Sequence, residues 1–246
     1  MTPALGALPA VLAQVEIRKR TGQGCVQENG FCPDWIANNL DKYVSPLLEH
    51  IYLTFVSVAI GFVIAFALAI LAHRHRWTTG PIIAITAAAF TIPSIAAFLL
   101  LLPITGFGST TAIIALVVYT LLILFRNLIT GLRNVPAETV DAARGMGLTE
   151  RQILWQVELP LAVPEILAGI RIAVTTTVGL ATLAFFAGAG GLGEQIYSEN
   201  AGTGGIEFKS NVVVAGGLAV LLAAVSDLIF LSLQRLLTGW QRASAP

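Results

Sequence analysis

The chain has 246 residues, 56% of them hydrophobic and only 11% charged, with a mean hydropathy of +0.80. A soluble surface calls for roughly a quarter ionic residues, so this composition excludes a water-soluble globular protein and puts the chain in a membrane. Its 14 basic and 14 acidic residues cancel, which excludes a general affinity for nucleic acid, since that requires a basic excess or stripe.

Residues 1–48 read as an N-terminal extension, extracytoplasmic or interfacial. Met1–Val15 is too short to span a bilayer, and Arg18, Lys19 and Arg20 come after its apolar part rather than before it, the reverse of a signal peptide. An interfacial helix fits better. Cys25 and Cys32, the only cysteines, lie in this extension, where an outside location permits a disulfide. Two unpaired thiols are the alternative.

Five long apolar stretches follow: Ile51–Ala72, Pro81–Leu102, Ser109–Phe125, Ala162–Ala187 and Val212–Leu233. Each can cross about 30 Å of hydrocarbon as a helix. None alternates with a period of two, and backbone groups cannot go unpaired in lipid, so helices rather than barrel strands are expected. His50 opens the first stretch and reads as an interfacial residue. The turn after it, AHRHRWTT, carries Arg74 and Arg76, and the segment Arg126–Gln152 carries Arg126, Arg133, Arg144 and Arg151. Retention of positive residues makes both cytoplasmic. Gly188–Ser210, with Glu194, Glu199 and Glu207 against Lys209, falls outside. With five spans the N-terminus is outside, and the tail bearing Arg235 and Arg242 is inside. His73 and His75 form an H-x-H, but the flanking arginines would repel a cation, and a basic turn is the better reading than a metal site.

The cytoplasmic segment 134–160 has its own helical logic. Pro136 suits the first turn of a helix running to about Arg144. Gly145 and Gly147 break it, and Thr149-Glu-Arg-Gln152 fits a capping box that starts a second short helix. Pro160 and Pro164 then separate that helix from the next apolar stretch. A compact helix–turn–helix joining two spans is a projection that a partner could grip.

The residues of this segment carry a resemblance. Asp141-Ala-Ala-x-x-x-Gly147, then nine residues, then Val157-x-Leu159-Pro160 resembles the EAA signature of ABC-importer permeases, with Asp141 in place of the usual Glu and Val157 in place of the usual Ile. Thr91-Ile-Pro-Ser-Ile-Ala96, Phe125-Arg-Asn-Leu-Ile-Thr-Gly-Leu-Arg133, Ala168-Gly-Ile-Arg171 and Gly188-Ala-Gly-Gly-Leu-Gly193 are similar to the osmoprotectant branch, whose members import glycine betaine, carnitine or choline. The resemblance covers the chain from about Ile51 and leaves the extension out. It implies a coupling element at Asp141, Ala142, Ala143, Gly147, Leu159 and Pro160, seated in a groove of a partner ATPase that holds the ATP and magnesium. It also implies an extracytoplasmic solute-binding protein and a dimer with a second copy or a homologous permease.

Phe186–Glu194, FAGAGGLGE, holds a literal G-x-G-x-x-G at Gly188, Gly190 and Gly193. That pattern binds a pyrophosphate only between a strand and a helix, and here a long apolar helix precedes it. In permeases of this type the stretch lies at the outer end of a span, which points to a tight turn and close packing instead.

Thr91 and Ser94 beside Pro93, and Thr175, Thr176 and Thr177, are the main polar groups at membrane depth. They could wall a translocation path, with Pro93 leaving a carbonyl free, or they could simply bond to their own helix. Phe185, Phe186 and Tyr197 near the outer mouth could offer cation–π faces to a quaternary ammonium, but interfacial anchoring explains them better. Arg171 stands seven residues past Pro164 and Asp227 eight before Arg235, which puts both about 10–12 Å above the cytoplasmic boundary. Equal depth allows an ion pair. Separate partners are the alternative.

The expected architecture is therefore an all-α membrane protein of about five spans, with an extension at 1–48, a permease domain at 49–240 and a tail at 241–246. The expected function is that of the permease subunit of an ATP-driven importer, itself without catalysis or cofactor. An ion-coupled secondary transporter would usually show repeated halves and ionisable relays. A non-transporting scaffold is the other alternative.

Overall fold

A computed structural model describes Cys25 and residues 30–197 and 209–238. The proposed Met1–Val15 helix, Arg18–Arg20, Glu199, Glu207 and Arg242 lie outside these residues. Within them the chain runs as α1 (Pro33–Ala37), α2 (Val44–Arg74), α3 (Thr79–Thr91), α4 (Ser94–Thr105), α5 (Ser109–Arg133), α6 (Ala137–Gly145), α7 (Glu150–Ile153), α8 (Leu159–Ala181), α9 (Leu192–Tyr197) and α10 (Lys209–Leu237). A π-helical turn, Leu154–Glu158, joins α7 to α8, and a 3₁₀ turn, Thr182–Ala187, follows α8.

Among the described residues, four helical segments are long and apolar enough to cross a membrane: Leu40–Arg74, Ser109–Arg133, Glu150–Ala187 and Lys209–Leu237. The second apolar stretch departs from the expected single helix. It is a pair, α3 and α4, bent by 96°. Proline disfavours helical backbone in the residue before it, and Ile92 (φ −63°, ψ 129°) and Pro93 (φ −56°, ψ 131°) are both extended. The pair still travels from one end of the bundle to the other. Thr79, at the start of α3, accepts from Arg133 at the end of α5 (2.7 Å). Past α4, the amide of Gly108 donates to Ala187 O (2.8 Å) beyond α8.

A second departure concerns Pro160 and Pro164, which do not separate the short helix from the following span. Helix continues from Glu150 through the π turn into α8. A proline ring normally collides with the carbonyl four residues back, which for Pro160 belongs to Gln156, inside the π turn. The wider turn relieves that collision.

The core lies where α2, α5 and α8 meet. Along α2, Gly61, Ala65 and Ala69 recur every fourth residue, and the two alanines are fully buried. Small residues at this spacing let membrane helices approach closely. At Gly61 an added Cβ would stand 1.9 Å from Thr120 Oγ1 of α5, and at Gly169 of α8 it would stand 2.5 Å from Asn127 Cβ, also of α5. Leu124, Leu128, Val174, Val178 and Ala215 fill the space between. His50 is fully buried rather than interfacial, with Nε2 3.0 Å from Val178 O; the α8 backbone offers it a partner that the first stretch alone does not reveal.

Candidate coupling site

The segment between α5 and α8 is a stiff, solvent-facing unit. Pro136 is the N-cap of α6 rather than its first residue, with extended backbone (ψ 132°). Gly147 ends the helix at φ +87°, with open space where a Cβ would stand. Backbone conformation, not crowding, therefore favours glycine there. Leu148 N–H reaches back to Ala143 O (3.2 Å) and Met146 N–H to Ala142 O (3.0 Å), closing the turn. Thr149 and Gln152 form the capping box of α7: Gln152 N–H donates to Thr149 Oγ1 (3.4 Å), and Thr149 N–H donates to Gln152 Oε1 (2.9 Å).

Arg144 ties the two short helices together, donating to Asp141 Oδ1 (3.0 Å) and Glu150 Oε1 (2.9 Å). Its hydrogen bond to Glu150, with the charge of that carboxylate, raises its pKa above the ordinary arginine value. Ala143, Ile153 and Leu154 root the unit in the protein, each 4% exposed or less, while Met146 and Trp155 are 74% and 54% exposed. Ala142 and Pro160 also face outward, and Leu159 packs with Leu132, Leu154 and Ala162. At the base, His73 Nε2 sits 3.0 Å from Glu158 Oε2 and fastens the π turn to the end of α2.

The candidate path residues differ in their surroundings. Thr91, Thr175 and Thr177 hydroxyls donate to carbonyls of their own helices, Ala88 O (2.7 Å), Arg171 O (3.0 Å) and Ala173 O (2.6 Å). Thr177 is buried, Thr175, Thr176 and Ser94 are half-buried, and Thr91 and Pro93 are exposed. The carbonyls at the Pro93 break are not free. Ala89 O accepts from Ile92 N–H (3.3 Å), and Ile92 O accepts from the hydroxyl of Tyr119.

Arg171 on α8 and Asp227 on α10 meet through two parallel contacts, Nε to Oδ1 and Nη2 to Oδ2 (2.9 Å), with side chains 35% and 31% exposed. A bidentate fork of this kind is the strongest arginine–carboxylate geometry.

At the opposite end the glycine-rich turn does hold an anion, and it is the protein's own. Gly190 and Gly191 amides donate to the two carboxylate oxygens of Glu49, each at 3.3 Å. Gly188 and Gly191 have φ of +73° and +82°. An added Cβ at Gly193 would lie 1.9 Å from Thr182 O, so only glycine fits. Glu49 carries no local sequence signal, since its partners are more than a hundred residues away. Phe185, Phe186 and Tyr197 pack on one another, with ring centroids 5.3–5.9 Å apart: Phe185 stacks on Tyr197 and meets Phe186 edge-on. Cys25 and Cys32 are joined by a disulfide. Cys32 N–H donates to Ser210 Oγ at the start of α10 (2.9 Å), and Tyr43 donates to Asn211 Oδ1 (2.6 Å).

Residues 57–239 match the family described as binding-protein-dependent transport system inner membrane component. The chain is 36% identical over 197 residues to the choline transport system permease protein OpuBB of Bacillus subtilis, covering 79% of this chain and 88% of that protein. It is 35% identical over 210 residues to the osmoprotectant import permease protein OsmW of Salmonella typhimurium, covering 83% and 95%. Among solved structures, an inward-facing conformation of the MetNI methionine ABC transporter superposes with a TM-score of 0.72 at 26% identity, over 80% of this chain and 96% of that one. With the family matched over most of its length on an importer-like bundle, the chain belongs to the binding-protein-dependent transport inner membrane components: it is the multi-pass permease subunit of an ABC importer, not itself an enzyme and without a cofactor, and ATP is bound and hydrolysed in separate ATPase subunits.

Proposed function

We propose that this permease admits quaternary ammonium osmoprotectants, the class that includes the choline, glycine betaine and carnitine named for its relatives. Its ATPase grips it through α6 and α7. The observation that carries the coupling reading is the combination of an outward face, Ala142 and Met146, with a rigid root at Ala143, Ile153 and Leu154. A force applied at the face moves the foot of α8 as one piece, because the capping box and the Arg144 bridges leave the unit little slack. Asp141, Gly147, Leu159 and Pro160 act in this reading by shaping that unit.

Arg74, Arg76, Arg133, Arg144 and Arg151 all stand at or near the α6–α7 end, while the other end carries Glu49, Glu194 and the Cys25–Cys32 disulfide. The bias of positive charge makes the first end cytoplasmic and the second external. A solute-binding protein delivers to the external end, and two permease chains enclose the path. Of the candidate path residues, the half-buried Thr175, Thr176 and Ser94 and the exposed Thr91 and Pro93 are the ones able to face a solute. Arg171 and Asp227 hold α8 and α10 in register.

The test is uptake by proteoliposomes containing the permease, its ATPase and its binding protein. Choline or glycine betaine accumulation is expected to need enclosed ATP and to survive a proton or sodium ionophore. Uptake abolished by the ionophore and indifferent to ATP would sink the reading. For topology, impermeant thiol reagents on intact cells are expected to label Cys25 and Cys32 only after reduction; a requirement for permeabilisation reverses the assignment.

A further inference from the structure

A cavity of about 560 Å³ lies not along the spans but between α6 and the ends of α2 and α5. Its polar wall carries His73, Arg76, Arg133, Arg144, Asp141 and Glu158. Both carboxylates are already engaged, Asp141 by Arg144 and Glu158 by His73, each at 3.0 Å. That leaves Arg76 and Arg133, which have no carboxylate partner among the described residues; Arg133 is held only by Thr79 Oγ1 (2.7 Å). The N-terminus of α6 adds to the same wall through Ala137. Its N-cap is Pro136, with no side chain capping the first turn, so free amides and the positive end of the helix dipole lie at the cavity edge.

Two unpaired guanidiniums and an open helix N-terminus around one cavity are the recognition chemistry of a phosphate. The rest of the wall, Leu132, Val135 and Val140, is apolar. Trp77, next to Arg76 and 77% exposed, is the kind of residue that anchors at headgroup level. A soluble anion needs no apolar wall and no interfacial tryptophan, whereas a phospholipid uses both.

We propose that this cavity binds the headgroup phosphate of an anionic phospholipid of the inner leaflet, bridging Arg76, Arg133 and the start of α6. The proposal rests on reading this end as cytoplasmic. The bound lipid would tie the coupling helix to the feet of α2 and α5, and so make coupling sensitive to bilayer charge.

The probe is a photoactivatable phosphatidylglycerol, incorporated with the assembled transporter in nanodiscs and compared with the phosphatidylcholine analogue. Phosphatidylglycerol is expected to label peptides containing Val135–Val140 or Trp77 in preference to the zwitterionic lipid. Arg76→Gln is expected to lower that labelling about fivefold, and the double change with Arg133→Gln about thirtyfold, from the attraction of a basic side chain near an anionic surface. Retained co-purification of the ATPase shows that each variant assembles, and a variant failing that check is replaced by Arg76→Lys with Arg133→Lys. These lysines keep the charge but lose the fork, and are expected to label between wild type and the glutamine pair. Equal labelling by both lipids, or labelling that ignores these substitutions, overturns the proposal. So does displacement by millimolar inorganic phosphate, which would make the ligand a free anion, or crosslinking of the same peptides to the ATPase, which would make it an acidic protein side chain. A Val135→Cys variant labelled from outside intact cells would instead defeat the topology on which the proposal stands.

Discussion

At the end bearing Gly188–Gly193 the chain is fixed through its backbone: the Glu49 carboxylate accepts from the amides of Gly190 and Gly191, Gly108 donates to Ala187 O, and Gly193 lies against Thr182 with no room for a methyl group. At the α6–α7 end the contacts are between long charged side chains on the surface. Arg144, Asp141 and Glu150 are 52%, 73% and 76% exposed, and Gly147 has open space around it. The first end is a packed joint whose geometry is its own. The second keeps its shape through local caps and leaves its outer face for another protein, so damage should act on folding at one end and on coupling at the other.

The largest expected effect is at Gly193. A Cβ 1.9 Å from a backbone oxygen cannot be relieved by moving a flexible side chain, so Gly193→Ala should lose about 3 kcal/mol, the upper part of the range for overpacking, and Gly193→Val should fail to accumulate. Yield and thermal stability of the detergent-purified chain measure this. A Gly193→Val protein that purifies and melts like wild type would mean that the turn is not the rigid joint described.

Next comes the Arg171–Asp227 fork. Stranding either charge within the span should lower stability, by less than at a fully buried site because both side chains are about one-third exposed. Arg171→Asp and Asp227→Arg are each expected to lower assembly, and the double exchange to recover part of the loss. A double variant no better than the worse single one would assign the two residues structural roles independent of each other.

These contrasts also mark what the sequence could carry. The apolar stretches are legible because hydropathy reports burial in lipid, and α6 and α7 are legible because Gly147, Thr149 and Gln152 act on their immediate neighbours. Pro93 signals a break, but the 96° bend depends on how α3 and α4 pack, and on Tyr119 capping Ile92. Pro160 misleads because a π turn can absorb its ring, and nothing in composition marks a π turn, while Pro164 sits inside α8 itself. The spacing of Arg171 and Asp227 fixes their depth, whereas the rotation of each helix does not follow from spacing. Glu49 and His50 find Gly190, Gly191 and Val178 only through tertiary structure.

Gly147 should separate stability from coupling. With open space around it, Gly147→Ala meets only the strain of a positive φ, about 1 kcal/mol, and should leave assembly nearly intact. Gly147→Asp adds a charge to the face offered to the ATPase and should sharply reduce solute-stimulated ATP hydrolysis while the permease still folds. Normal transport by an assembled Gly147→Asp variant would remove this turn from the coupling surface.

The smallest effect is expected at the cap of α7. Thr149→Ala removes the acceptor for Gln152 N–H, and an N-cap hydroxyl contributes about 1 kcal/mol to its helix. α7 has only four residues, Glu150–Ile153, so little else within the helix itself holds its first turn. The rest of the joint remains, because Arg144 still reaches Glu150, and Ile153 and Leu154 stay buried. The melting temperature should therefore fall by only a few degrees. Coupling should respond more than stability, because a frayed first turn lets α6 move without carrying α8, so that more ATP is hydrolysed for each solute moved. Thr149→Ser keeps an acceptor at the same place and should restore the ratio. If Thr149→Ala lowers stability but leaves the ATP-to-solute ratio at the wild-type value, the stiffness of this unit is not what transmits the stroke, and the grip lies in the outer face of α6 alone.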